Sequence, residues 1–89
     1  MASSSVPKKI AMPTIEIEGY KFRFYSTDRS EPPHVHVFKG EKEAKIWLEP
    51  VEVQANYGYN NRELNRIVRL TKKHRARLLE EWNVHFTNK

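Results

Sequence analysis

The segment Glu31-Pro32-Pro33-His34-Val35-His36-Val37 holds the densest chemistry in the chain. Its two prolines exclude a helix and set an extended entry. The strand that follows alternates with period 2, so His34 and His36 share one face, with Cβ atoms roughly 7 Å apart, and Val35 and Val37 share the other. Two imidazoles placed in this way can chelate a metal, move a proton or contact phosphate. A divalent metal needs a third or fourth ligand. Glu16, Glu43 or Glu49 would have to supply it, because His74 and His85 fall on a helix expected against the opposite sheet face. Apart from such a metal no cofactor is expected. In the acid–base case the two rings divide the roles in phosphodiester cleavage, Lys21, Arg23 and Lys45 hold the phosphate, and Tyr25 and Trp47 stack exposed bases. That set suits an RNA-cleaving toxin. The alternative, in which the histidines and Trp47 pack against each other or against a partner, is preferred because few other polar groups converge on the pair.

A second constellation lies near the C-terminus. Arg62, Arg66, Arg69, Lys73 and Arg77 stand at i, i+4, i+7, i+11 and i+15, opposite an apolar helical stripe. A row of this kind can track a phosphate backbone. Only Glu63 interrupts the positive charge before Glu80, whereas a helix laced by i,i+4 salt bridges alternates its signs. The competing reading is an ordinary solvated helix face. Arg75 is different: it falls inside the apolar stripe, between Thr71 and Trp82. A guanidinium there must reach water along its stem or meet a carboxylate. Asp28, Glu31 or the C-terminal edge of the sheet can be that partner, and an ion pair orienting helix on sheet is preferred over a catalytic role.

The elements that must position these groups follow from the periodicity. Ile15 and Ile17 alternate with polar neighbours, Gly19 turns the chain, and Tyr20, Phe22 and Phe24 alternate again. After a polar loop over 26–33, the His34–Phe38 strand leads through Lys39-Gly40-Glu41, a hairpin turn in which Gly40 is free to take positive φ, into a strand over 43–49. Pro50 ends that run before Val51, Val53 and Ala55. The period then changes. Asn60 with Glu63 resembles a capping box, and Leu64, Ile67, Val68, Thr71, Leu78, Leu79, Trp82 and Phe86 share a stripe at about 100° per residue. The expected fold is α+β: an antiparallel meander of four or five strands covered on one face by one long C-terminal helix, from about Asn61 to about His85. Residues 1–11 are expected to form a flexible N-terminal arm and residues 12–89 a single domain. The open sheet face then carries Arg23, Tyr25, His34, His36, Lys45 and Trp47.

Composition narrows the classes of function. The net charge of +5 is uneven: residues 12–57 hold six basic and eight acidic side chains, and residues 58–89 hold eight basic and three acidic. An acidic partner for the C-terminal third, nucleic acid or an acidic protein, is the expectation. With no cysteine there is neither a disulfide framework nor a thiolate site. No apolar run approaches the roughly 20 residues of a membrane span, so the chain is read as soluble and cytoplasmic, with no membrane partner.

Met12-Pro13-Thr14-Ile15, Pro32-Pro33-His34-Val35-His36-Val37 and His74-Arg75-x-x-Leu78-Leu79-x-x-Trp82 follow in order. Together they resemble a small prokaryotic family known as domain of unknown function 4160, over roughly residues 12–86. Position 35 of that family is often aromatic, so Val35 is a mild departure. The resemblance implies a small stand-alone protein, often encoded beside another small protein in a layout like toxin–antitoxin pairs, and no defined reaction. The expected function is therefore an accessory or regulatory component of a toxin–antitoxin-like two-gene module. It would bind a protein partner encoded nearby, or a second copy of itself, with RNA or DNA as a further partner. The alternative is a small ribonuclease-type or metal-dependent enzyme using His34 and His36.

Overall fold

Alternating apolar residues build five short strands: β1 (Ile15–Ile17), β2 (Tyr20–Arg23), β3 (His34–Lys39), β4 (Lys42–Leu48) and β5 (Val51–Tyr57). The computed structural model describes residues 14–25 and 31–86, apart from the side chain of His85. The expected arm over 1–11, the Met12-Pro13 start and Asp28 lie outside the described residues. The strands pair antiparallel in sequence order, β1 to β5. Glu18 and Gly19, with φ of 51° and 86°, make the two-residue link between β1 and β2. Positive φ at both central positions marks a type I′ turn, whose twist matches the flanking strands. Gly40 takes φ 61° in the β3–β4 turn, as that hairpin requires.

The inner face is as the alternation demands. Tyr20, Phe22, Phe24, Val35, Val37, Ala44, Ile46 and Leu48 are each 1% exposed or less. Burying a side chain of this size is worth about 1.5–3 kcal/mol. Val53 was expected on this face but is 37% exposed. Val53 keeps the inner-face register opposite Ile46, but β5 is an edge strand with no strand beyond it among the described residues. Past Val53 a β-bulge leaves Gln54 as the extra residue, because Lys45 faces Ala55. Beyond the bulge the alternation inverts, as an inserted residue must make it do. Asn56 thus lies opposite Ala44, and Tyr57, opposite Glu43, is 63% exposed.

The single long helix is not what forms. Two helices follow the sheet, α1 (Asn61–Lys73) and α2 (Arg75–Phe86), broken at His74, whose φ and ψ are −105° and 17°. No glycine or proline marks the break. His74 N–H still donates to Leu70 O, and His74 O still accepts from Leu78 N–H, at 3.0 Å each. The cause is tertiary. Arg75 Nε donates to Leu48 O at 2.6 Å, and its Nη2 lies 3.4 Å from Glu49 Oε2. These contacts hold the start of α2 to the end of β4. Leu78 and Trp82 are then buried, and the Trp82 ring meets Phe24 at 6.0 Å and His34 at 5.3 Å between centroids. Phe24 follows the helix-facing side of β2 and His34 belongs to the other face, so Trp82 lies across the end of the sheet. One face covered by one helix is therefore replaced by α1 against the inner face and α2 turning around the sheet end. Of the carboxylates proposed for Arg75, Glu31 pairs instead with Lys45 at 2.6 Å, and the sheet edge supplies the partner.

Candidate functional site

Strand register decides which outer-face groups meet. Arg23 lies opposite His36, Lys21 opposite Phe38, His36 opposite Lys45 and His34 opposite Trp47. The structure thus gathers Arg23, Tyr25, His34, His36, Lys45 and Trp47 on one surface, as the alternation implied. Their exposure is not as expected. His34 is fully buried, with Nδ1 2.9 Å from Pro32 O, to which its N–H donates. Its ring packs against His36 at 5.1 Å and Trp47 at 5.6 Å, with Trp82 closing the end. The His36 side chain is 13% exposed, and its Nδ1 lies 3.4 Å from Glu43 Oε2. Tyr25 covers the His36 ring at 4.8 Å. Lys45 sits over the Trp47 ring while paired to Glu31, and the Arg23 guanidinium sits over Phe38. A face with no covering layer is thus closed sideways by rings and cation–π contacts.

Chemically, this arrangement offers two carboxylate–imidazole approaches, Glu43 to the partly exposed His36 at 3.4 Å and Glu31 to the interior His34 at 3.9 Å. Of the other carboxylates expected to complete a metal shell, Glu49 is engaged by Arg75, and Glu16 lies on β1, opposite Lys21. Among the described residues no group of three or more His, Cys, Asp or Glu side chains is placed to hold a metal ion.

The cations of the helices form the second site. Arg62, Arg66, Arg69, Lys73 and Arg77 are all exposed. Arg66, Arg69, Lys72 and Lys73 line an open cleft of about 550 Å³, with Leu70 among its walls and Glu18 of the β1–β2 turn as its one acidic wall residue. Among the described residues none of these four cations is in an ion pair. Arg62 precedes the cleft and Arg77 follows the break in α2; neither lines it.

The start of α1 is built so that its one acid is occupied elsewhere. Asn60 accepts the Glu63 backbone N–H at 2.8 Å, as an N-cap should. The Glu63 carboxylate accepts from Lys42 Nζ of β4 at 2.9 Å. That hydrogen bond holds the Glu63 carboxyl below the usual carboxylate range. Just before the helix, Tyr59 is buried with its hydroxyl donating to Val37 O at 3.1 Å. Burial first, then the neighbouring Tyr20, Glu63 and Glu43, push its hydroxyl up to about 12. The join between sheet and α1 is thus pinned from both sides.

Lys72, Leu70 and Glu18 were not singled out in the sequence. Lys72 stands three residues after Arg69, so helical spacing was a usable signal for it. Glu18 carried no such signal, since only the folding of the β1–β2 turn beside α1 brings it there. Comparison with curated proteins finds no match. Comparison with solved structures also finds none. A family model described as a domain of unknown function, DUF4160, matches residues 19–83, a span from the β1–β2 turn through most of α2 that includes the imidazole face and the cation cleft. Matched over that span, the chain belongs to the DUF4160 family.

Proposed function

We propose that this protein is an accessory or regulatory component of a toxin–antitoxin-like two-gene module, binding nucleic acid through α1 and a protein encoded beside it. The carrying observation is the row of exposed cations lining the α1 cleft, in no ion pair among the described residues, whose neighbouring acid, Glu63, is held by Lys42. Arg66 and Lys73 are seven residues apart, about 10 Å along a helix axis. That distance matches about three nucleotides of one strand at 3.4 Å each. The gene layout implied by the family resemblance supports the protein partner. The buried position of His34 favours this reading over the ribonuclease or metal-enzyme alternative, because a catalytic ring must reach its substrate.

Fluorescence anisotropy with labelled RNA and DNA across a salt series tests the nucleic-acid half. Replacing Arg66 and Lys73 together by alanine lowers the slope of log affinity against log salt by about two, one for each phosphate neutralised. Absence of binding at low salt to either nucleic acid leaves α1 an ordinary solvated face. Co-purification with the neighbouring gene product tests the protein half.

A further inference from the structure

Of the residues lining the α1 cleft, Glu18 alone comes from outside the helix. Arg66, Arg69, Leu70, Lys72 and Lys73 form the α1 wall, and the β1–β2 turn brings Glu18 beside it. Glu18 is exposed and, like the four cations, in no ion pair among the described residues. Its backbone has φ 51°, in the left-handed region, where asparagine, aspartate or glycine is the usual turn residue. A longer carboxylate held there is a strained choice, and strain of this kind gathers at binding sites.

The shape of the cleft selects the form of nucleic acid. A helix about 10–12 Å across already fills a duplex major groove about 12 Å wide. With the β1–β2 turn standing beside it, the cation-bearing side of α1 has no room to enter that groove. One strand fits an open cleft of about 550 Å³. Phosphates settle on the cations and are repelled by Glu18, so the group that meets the carboxylate is a base. Two carboxylate oxygens accept two hydrogen bonds side by side. Guanine offers N1–H and the N2 amine next to each other on its Watson–Crick edge. Uracil's N3–H is flanked by two carbonyl oxygens, and adenine and cytosine set their amino donor beside an acceptor. In a single strand that edge is free to be read.

Building on the nucleic-acid reading of α1, we propose that this cleft takes a single strand and that Glu18 reads a guanine in it. The backbone of the strand lies along Arg66, Arg69, Lys72 and Lys73, and the guanine edge turns toward the β1–β2 turn.

Fluorescence anisotropy of the full-length protein tests the assignment. The probes are a labelled oligouridylate with one central guanosine, its inosine counterpart, which lacks the N2 amine, and the guanosine strand annealed into a duplex. The guanosine strand is expected to bind about fivefold or more tighter than the inosine strand. Glu18→Gln brings that ratio to about one without weakening binding of the inosine strand, since a negative charge leaves the phosphate site. Glu18→Asn, which suits the left-handed backbone, removes the preference too, in a protein that melts no lower than wild type. Equal affinity for guanosine and inosine strands, or a preference that survives Glu18→Gln, overturns the guanine assignment. Binding through α1 then still stands if Arg66→Ala/Lys73→Ala lowers the salt slope. A duplex bound as tightly as the single strand overturns the strand form. No binding of any probe at low salt overturns both this assignment and the nucleic-acid role of α1.

Discussion

Replacing Arg75 by alanine tests whether a single side chain sets the turn between the two helices. Arg75 Nε donates to Leu48 O at 2.6 Å, and Nη2 approaches Glu49 Oε2 at 3.4 Å. The first is a hydrogen bond from a charged donor to a residue with no exposed surface, worth about 1.5–3 kcal/mol. The second joins side chains that are 43% and 51% exposed, so solvent screening holds it to about 0–1 kcal/mol. Arg75→Ala is therefore expected to cost about 2 kcal/mol, nearly all from the Leu48 contact. In a domain of this size that lowers Tm by about 8–16 °C. Glu49→Gln removes only the screened pair and is expected to lower Tm by about 8 °C at most, and by less than Arg75→Ala. Thermal unfolding followed by circular dichroism of wild type, both single variants and the double variant closes the cycle. The reasoning is refuted if Arg75→Ala melts within about 3 °C of wild type. An equal cost for Glu49→Gln would also refute it, since the ion pair would then be the anchor.

Further outcomes follow from the same structure. His34→Ala empties a fully buried ring position and is expected to cost about 3 kcal/mol, with a clearly smaller loss for the partly exposed His36→Ala, measured by urea unfolding. Tyr59 holds its proton more tightly when folded, since its pKa is raised from 10.0 to about 12. Its contribution is complete below the unfolded value and is lost as pH rises from about 10 to about 12. An alkaline melt series should show that step in the wild type but not in Tyr59→Phe. Glu63 is lowered by its Lys42 hydrogen bond, so its contribution is present above the unfolded carboxylate pKa and lost as pH falls through the lowered folded value. Lys42→Met should raise the Glu63 carboxyl toward its ordinary value in an NMR titration. Asn60→Ala removes the α1 cap and is expected to cost about 1 kcal/mol in urea unfolding.

Much of this protein was legible along the chain, because local sterics and periodicity act without knowledge of the fold. Period-2 alternation placed Ile15 through Leu48 on the inner face and put His34 and His36 together on the other. Gly19 and Gly40 located the turns, since positive φ costs glycine little, and Asn60 located the start of α1. The cation row was visible by the same rule, as helical spacing is a property of the local chain. Tertiary structure decided the rest. Ending the helix at His74 needed Leu48 and Glu49, 26 to 27 residues upstream of Arg75, because no local residue forbids the helix there. The bulge at Gln54 turned Tyr57 outward, and a one-residue shift in pairing belongs to two strands at once. By spacing alone His34 takes the outer face, as a candidate ligand or catalytic ring with packing as the preferred reading. It is buried because Trp82, 48 positions later in the chain, is carried around the sheet end by the helix that Arg75 anchors. Spacing along one strand sets which face a ring takes, but whether that face meets water depends on what the remainder of the chain brings to it.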